Sequence, residues 1–310
     1  MERGHRLRYS LATVATVRLP DFVIIGAARC GTTSLYAYLR EHPQVFMSRE
    51  KETDYFSLGD LPPADVPRNA SAYRARTRED YERFFRGAGD ALAVGEASPT
   101  YLFYPRSAER MQQAIPGAKV ICILRDPVER AYSHFALARK MSFEPLDDFA
   151  SAVALEEERW ASERSMRFTY TRASLYHDGL AAFVDRFPRE RILVLRFEDL
   201  AADPRATMRA IYDFVGVDPT FQPDVGIRHN RSMLPRSGLV REAFGRPFRV
   251  RRFLQRRLPP RLVTRLGNLI MRPPPGVAAD VRARLLPRFA DDVRRLEALL
   301  GWDLGAWRSA

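Results

Sequence analysis

The chain has 310 residues, 46% of them hydrophobic, and a formal net charge of +12. This length and composition allow a large buried core and exclude a largely disordered chain. No apolar stretch reaches the roughly 18 residues of a membrane-spanning helix, and the first residues lack the apolar block of a signal peptide. The two cysteines, Cys30 and Cys122, form no metal-binding spacing, which excludes a disulfide framework and disfavours structural zinc. We therefore expect a soluble, cytoplasmic protein.

The order of apolar segments predicts an α/β fold. Four continuously apolar segments are typical of buried parallel strands, at 21–25, 91–94, 119–124 and 191–197. Predicted helices lie at 35–42, 128–140, 174–187, 205–215 and 277–300. This alternation favours a three-layer sandwich, a central parallel sheet flanked by helices. Residues 1–19 are predicted to form an arm before a single domain over 20–310.

Polar motifs are predicted where the first three strands end, with Gly26, Glu96 and Arg125 following successive strands. In parallel α/β sheets, ligands bind beyond the carboxyl ends of the strands. We therefore expect the functional residues at this edge of the sheet.

The segment Gly26–Ser34 reads Gly-Ala-Ala-Arg-Cys-Gly-Thr-Thr-Ser. A glycine-containing turn from a strand into a helix directs several N–H groups to one point, which favours a phosphate there. Thr32 and Thr33 would add hydroxyl donors. An ATP-binding loop would have lysine at Thr32, whereas here the cation is Arg29. The pattern predicts a phosphate site, with a tight structural turn as the alternative.

A second anion site is predicted after the third strand. Arg125 follows that strand and Ser133 lies two helical turns further on, so both can face the crevice above the sheet. A guanidinium and a hydroxyl together suit a phosphate. The alternative is an arginine paired with a neighbouring acid and a serine on a solvated helix face.

Most of the surplus positive charge lies in one segment. From Arg236 to Arg272 there are eleven arginines and one acid, Glu242. We predict that residues 236–275 form a basic, lid-like insertion before the last helix. Aromatic residues are interspersed among the arginines here, which favours weak contact with a membrane or an anionic substrate. A solvated lid without such a contact is an equally weighted alternative.

Six short motifs occur in an order that indicates one family. They are Ile24–Ser34, Arg49–Phe56, Ile123–Phe135, Phe197–Leu200 with Asp203-Pro204, Asn230–Arg236, and Leu299–Leu304 with Trp307. Together they resemble the sulfotransferases that use 3′-phosphoadenosine 5′-phosphosulfate (PAPS), and are most similar to bacterial members and heparan sulfate sulfotransferase domains. The resemblance implies a P-loop-like fold and sulfuryl transfer by in-line displacement to a hydroxyl of a small-molecule, carbohydrate or lipid acceptor.

The resemblance also implies how the donor is bound. The first loop would hold the 5′-phosphosulfate, with Arg29 replacing the family's lysine at the leaving phosphate, while Arg125 and Ser133 would hold the 3′-phosphate. The implied donor-binding residues are Arg29, Cys30, Gly31, Thr32, Thr33, Ser34, Arg125, Ser133, Arg231, Ser232 and Arg236. Such a donor explains two anion sites without a lysine or a metal ion, and 3′-phosphoadenosine 5′-phosphate (PAP) would be the product. Arginine can stabilise the leaving oxygen but does not donate a proton.

For the acceptor side, the resemblance implies that Glu52 is the general base, in Lys-Glu-Thr-Asp where the family has Lys-Glu-x-His. An ordinary charged loop is the alternative. The predicted substrate contacts are Lys51, Asp54, Ser98, Tyr176 and His177. Ala97 replaces a lysine that contacts the acceptor in the heparan sulfate group, which argues against that polysaccharide. His134 is assigned a structural role, since it faces another side of the helix from Ser133.

Two other functions compete with sulfuryl transfer. A nucleotide kinase would share the fold and the first loop, but the loop lysine and a clear second metal-binding carboxylate are missing. A protein that binds nucleic acid or membranes is supported only by the basic segment. We therefore expect a hydroxyl-bearing acceptor as the partner and no nucleic acid.

Overall fold

A five-stranded parallel sheet lies at the centre of the structure, a computed structural model that describes residues 17–59, 75–163, 166–226, 234–235, 271–272 and 275–309. Its strands are β1 (Phe22–Gly26), β2 (Val45–Met47), β3 (Ala93–Ala97), β4 (Lys119–Leu124) and β5 (Ile192–Arg196). They lie in the order β2-β3-β1-β4-β5. All four pairings are parallel. A separate antiparallel pair joins β6 (Leu234–Pro235) and β7 (Met271–Arg272).

Helices connect and flank these strands. In chain order they are α1 (Thr32–Glu41), α2 (Tyr55–Leu58), α3 (Arg78–Arg83), α4 (Thr100–Phe103), α5 (Arg106–Ala114), α6 (Pro127–Lys140), α7 (Phe149–Ala154), α8 (Glu156–Glu163), α9 (His177–Val184), α10 (Phe197–Ala202), α11 (Pro204–Val215) and α12 (Ala279–Leu300). Short 3₁₀ helices occur at Met166–Phe168, Arg172–Ser174, Arg189–Arg191 and Gly305–Arg308. Among the described residues, no helix combines the length and the apolar character needed to cross a membrane.

The central strands are buried on both faces, as their apolar sequences predict. Every residue of β1 and β3 is buried. Phe22 of β1 pairs with Gly95 of β3, and a Cβ on Gly95 would lie 2.1 Å from the Phe22 ring. Glycine is therefore required at this position by packing, since an added methyl group would overlap a ring fixed in the core.

The predicted sandwich with a central parallel sheet is confirmed, but three local predictions were wrong. The strand β2 was missed, because three residues after a helix show no clear period. The second predicted strand continues to Ala97, so Glu96 lies inside β3 and not after it. The helix predicted over 174–187 begins at His177, because residues 172–174 form a 3₁₀ turn that ends before Tyr176.

Parts of two predicted segments fall outside the described residues. These are 1–16 of the arm and nearly all of the basic segment 236–275, of which 271–272 and 275 are described. The division of the chain into arm, domain and lid-like insertion stays a prediction.

Candidate active site

The loop between β1 and α1 depends on left-handed backbone conformations. Arg29 has φ 73° and Gly31 has φ 95°. A Cβ on Gly31 would also lie 2.9 Å from Leu200 Cδ2, so both conformation and packing favour glycine there. The Ala27 N–H donates to the carbonyl of Ile123 at 2.7 Å, which ties the loop to β4. Because α1 starts at Thr32, its first N–H groups point out of the helix end, where an anion is favoured.

The first loop and the second motif meet at Arg29 and Ser133. Arg29 Nε donates to Ser133 Oγ at 3.2 Å, although the two residues are 104 positions apart. Burial lowers the pKa of Arg29 to about 10, and repulsion from Arg130 and Arg125 contributes to the same shift. Arg29 thus stays cationic at neutral pH and lies among other cations.

Arg125 makes both an ion pair and an aromatic contact. Its Nη2 lies 3.2 Å from Glu129 Oε2, and its guanidinium carbon lies 4.7 Å from the centre of the Phe197 ring. The pairing with a neighbouring acid considered from the sequence is therefore present. Ser133, however, is only 5% exposed, so it does not lie on a solvated face.

Arg130 and His134 lie on α6 beneath the loop. Arg130 is fully buried, and its Nη1 donates to the carbonyl of Ala28 at 3.3 Å. Burial lowers the pKa of His134 well below its usual value, and repulsion from Arg130 adds to this shift. The His134 ring lies edge-on to Tyr170, with the ring centres 5.5 Å apart. These contacts agree with a structural role for His134.

On the opposite side of the crevice, residues 51–54 form a tight turn. Glu52 and Asp54 have φ values of 63° and 55°. Lys51 Nζ forms an ion pair with Glu52, whose side chain is 55% exposed. Attraction to Glu52 is one of the effects on the pKa of Arg29, so Glu52 lies close enough to act on the cationic side. Burial raises the pKa of Asp54 to about 6, against a hydrogen bond from Thr100 Oγ1 at 2.7 Å.

The end of β3 holds this turn in place. Ala97 accepts a hydrogen bond from the Glu52 N–H at 2.9 Å, and Ser98 Oγ accepts one from the Asp54 N–H at 3.2 Å. Between them, Thr53 Oγ1 donates to Glu96 Oε2 at 2.7 Å. Since left-handed non-glycine residues persist only where their surroundings fix them, these bonds set the position of Glu52.

Glu96 is a buried acid within the sheet. Burial raises its pKa to about 7, opposed by the hydroxyl groups of Tyr101 and Thr53. The Tyr81 hydroxyl acts in the same direction as these two groups, although it lies outside good hydrogen-bond geometry with Glu96 Oε1. Glu96 therefore keeps its proton to a higher pH than an exposed glutamate.

Comparison with known proteins identifies the family. Residues 20–223 match the family model described as the Sulfotransferase family. The chain belongs to this family. The resemblance inferred from the six motifs is thereby confirmed.

Curated relatives and a solved structure agree with this assignment. The chain is 29% identical to carbohydrate sulfotransferase 15 of Rattus norvegicus, over 65% of this chain and 44% of that protein. It is 26% identical to bifunctional heparan sulfate N-deacetylase/N-sulfotransferase 4 of Mus musculus, over 67% of this chain and 24% of that protein. It thus spans less than half the length of these relatives. A crystal structure of a sulfotransferase from Alicyclobacillus acidocaldarius superposes with a TM-score of 0.74 at 34% identity, covering 94% of this chain and 100% of that one.

The donor residues predicted for a sulfotransferase fall into three groups. Arg29, Arg125 and Ser133 come together at the loop. The N–H groups of Cys30 and Ser34 donate within the loop, to the carbonyls of Ala27 and Gly31 at 3.2 and 2.9 Å, and the role of the loop backbone in donor binding stays a prediction. The last group, Arg231, Ser232 and Arg236, lies outside the described residues, and its role stays a prediction.

Two predicted substrate contacts have buried side chains. Ser98 and Tyr176 are 0% and 1% exposed, and Tyr176 donates to the carbonyl of Arg125 at 2.9 Å. Neither side chain is presented to an acceptor in this structure, because both are bound to protein groups. His177 lies at the start of α9 and contacts Asp178 at 2.9 Å. Lys51 and Asp54 lie beside Glu52, where the prediction placed them.

Sequence reasoning missed the contribution of α12 to this sulfotransferase site. Arg282 Nη2 lies 2.7 Å from Asp126 Oδ2, next to Arg125. Asp292 accepts from the N–H groups of Tyr176 and His177 at 2.9 and 3.0 Å. Asp292 offered a signal: its spacing from Phe289 places an acid on the apolar face of the helix.

The structure also bears on the two cysteines and on metal binding. Both Cys30 and Cys122 are buried free thiols, and burial raises the pKa of Cys30 to about 11. Within the described ranges, no group of three or more His, Cys, Asp or Glu residues is placed to hold a metal ion. Donor use without a metal stays a prediction, as does the cytoplasmic location.

Proposed function

We propose that this sulfotransferase moves a sulfuryl group from PAPS to a hydroxyl of an acceptor and releases PAP. One observation supports this most: Arg29, Arg125 and Arg130 lie close enough to repel one another beside the N-terminal end of α1. Their charges suit a ligand with two separated anionic groups. A bisphosphorylated adenosine has this character.

Two subsites would divide the donor. The loop backbone at residues 31–33 and the Arg29 guanidinium would hold the 5′-phosphosulfate, because a helix N-terminus and a cation both favour an anion. Ser133 lies on α6, which begins two residues after Arg125, and it is within hydrogen-bond distance of Arg29. Arg125 and Ser133 would hold the 3′-phosphate. Phe197, which packs on Arg125, helps to fix that guanidinium.

The chemistry would then be an in-line displacement. Glu52 would accept the proton of the acceptor hydroxyl, and Arg29 would stabilise negative charge on the leaving phosphate oxygen. A sulfuryl group carries less charge than a phosphoryl group, so positioning and charge stabilisation supply most of the catalysis. The exposure of Glu52 and its influence on Arg29 support this division of roles.

The acceptor is proposed only as a class. Two relatives carry carbohydrate or heparan sulfate in their names, which supports a carbohydrate hydroxyl. The site itself adds Lys51 and Asp54 as polar groups next to Glu52. Small-molecule and lipid hydroxyls therefore belong in the same acceptor screen with labelled PAPS.

Nucleotide binding is the direct test. Thermal unfolding and calorimetry would be measured with PAP, with ATP and Mg²⁺, and with an oligonucleotide. We expect PAP alone to stabilise the chain, by about 2.7 kcal/mol when its concentration is 100 times the Kd. Stabilisation by ATP with Mg²⁺ and none by PAP would contradict the proposal and favour a nucleotide kinase.

A further inference from the structure

We propose that Arg130 is a positioning residue that supplies positive charge to the donor site from beneath the loop, without contacting the donor. This inference rests on the proposed function, because it concerns the same PAP-binding site. Arg130 lies within the motif Ile123–Phe135, but it is not among the donor-binding residues that the resemblance implied. Three features of the structure support it.

The first feature is the set of partners around this buried guanidinium. Arg130 is 0% exposed. Its Nε donates to Ser174 Oγ at 2.6 Å, and its Nη2 donates to the carbonyl of Tyr170 at 2.7 Å. Weaker bonds at 3.3 to 3.4 Å reach the carbonyls of Ala28 and Thr169 and the Nδ1 of His134. All of these partners are neutral acceptors.

The second feature is that Arg130 forms no direct ion pair with a described carboxylate. Among the described residues, no carboxylate lies within ion-pair distance of Arg130, although a buried charge is costly unless it is paired. Arg159 shows the usual arrangement, since it forms an ion pair with the fully buried Glu144. Arg159 thus has a carboxylate in direct contact, whereas no described carboxylate contacts Arg130. Glu156 attracts Arg130 at longer range. Its two oxygens accept from the N–H groups of Thr171 and Arg172.

The third feature is where the charge of Arg130 acts. Its Nη1 bond to Ala28 places it directly against the loop that would hold the 5′-phosphosulfate. Its positive charge adds to burial in lowering the pKa of Arg29. The same charge opposes the effect of burial, which raises the pKa of the Cys30 thiol. A bound anion at the loop would add a negative charge close to Arg130, so binding and the buried cation would favour each other.

Ser174 offers a way to neutralise Arg130 without removing it. Ser174 is fully buried with its Oγ next to Arg130 Nε, so Ser174→Asp places a carboxylate beside the guanidinium. Ser174→Asn is the matched control, because asparagine has nearly the same size and no charge. We expect the Kd for PAP to be about tenfold higher in Ser174→Asp than in Ser174→Asn, a typical effect of one added charge.

Stability without nucleotide provides a second readout that a purely structural role would not move in this direction. The carboxylate would pair with Arg130, so we expect the unliganded Ser174→Asp protein to unfold at a higher temperature than Ser174→Asn. A higher unfolding temperature together with weaker PAP binding would show that the charge of Arg130 contributes to ligand binding at a cost to stability. Equal Kd values for the two variants would overturn the inference.

If Ser174→Asp fails to fold, substitutions of Arg130 itself allow the same comparison between a charged and an uncharged side chain. Arg130→Lys keeps the charge and should bind PAP within about threefold of the unmodified chain, whereas Arg130→Met should lose about tenfold. Arg159→Met, the control, should lower the unfolding temperature and leave the Kd unchanged. Equal losses for Arg130→Lys and Arg130→Met would show that hydrogen-bond geometry alone matters. If the unmodified chain does not bind PAP, the proposed function itself fails.

Discussion

The two sides of the crevice carry opposite charge and respond to different conditions. On the donor side, Arg29, Arg125 and Arg130 repel one another. On the acceptor side, burial raises the pKa values of Asp54 and Glu96 to about 6 and about 7. The donor side therefore favours an anion, whereas the acceptor side holds two carboxyl groups whose pKa values are raised toward neutrality.

This difference separates what each side contributes. The arginines of the donor side act through their charge on ligand affinity, so their removal should appear in the Kd for PAP. Carboxyl groups that titrate act through protonation, so their removal should appear in turnover or in the pH dependence of stability. Substitutions on the two sides can test this division.

The largest effect is expected at Glu52. Glu52→Gln removes the proposed base but keeps the size of the side chain, so turnover should fall about 100-fold or more. The Kd for PAP should stay within about twofold, because donor binding belongs to the other side of the crevice. Steady-state rates with labelled PAPS and calorimetry with PAP measure the two quantities. Glu50→Gln, two positions earlier, is the control.

Retained turnover in Glu52→Gln would assign the base to another residue. A loss of PAP affinity equal to the loss of turnover would instead join the two sides into one functional unit. Either result would break the division between ligand affinity and proton transfer.

The next effect concerns stability and is expected at Glu96. With a folded pKa of about 7 and a usual value of 4.5, Glu96 holds its proton in the folded state over a range in which the unfolded chain has lost it. The free energy of unfolding should therefore decrease as the pH rises through this window, by up to about 3 kcal/mol. Glu96→Gln cannot titrate and should lose this component.

Denaturant unfolding at pH 5 and pH 8 measures the difference. Asp54 gives a change of the same sign, but it is present in both proteins and cancels. Glu144→Gln is the control: burial would raise the pKa of Glu144, but hydrogen bonds from Arg159 and Tyr170 lower it overall. Glu144→Gln should therefore lower the free energy of unfolding by about the same amount at both pH values. Parallel pH curves for the unmodified chain and Glu96→Gln would contradict the prediction.

The two sides also differ in how far the sequence predicted them. The donor loop follows from local rules, because an apolar strand, two glycines and a helix start are neighbours in the chain. Arg125 and Ser133 followed from a strand end and a helical repeat. The sequence alone suggested two anion sites, and the structure adds that Arg29 contacts Ser133.

The acceptor side depends on contacts between distant segments, which no local pattern shows. Glu96 looked like the polar end of a strand, but it is buried inside β3 and bonded to Thr53, 43 positions away. Tyr176 looked available to an acceptor, but its side chain is buried and its hydroxyl donates to the carbonyl of Arg125, 51 positions away. Burial of a polar residue is decided by its partner, and the partner is set only by the fold.

The smallest of the three effects is expected at Arg125, and it can assign the donor subsites. Arg125→Ala should weaken PAP binding by about 2 kcal/mol, the usual loss for a hydrogen bond to a charged group. It should leave binding of adenosine 5′-phosphate nearly unchanged, because that nucleotide lacks the 3′-phosphate. Calorimetry with both nucleotides measures the two losses.

Arg196 provides the matched control for Arg125. It ends β5 in register with Leu124, the residue before Arg125, but both of its guanidinium bonds go to Asp199, at 3.0 and 3.1 Å. Arg196→Ala should therefore leave the Kd for PAP unchanged. Equal losses for PAP and adenosine 5′-phosphate in Arg125→Ala would move this arginine to the 5′ subsite. An unchanged Kd for both would remove it from donor binding and leave its ion pair with Glu129 as its role.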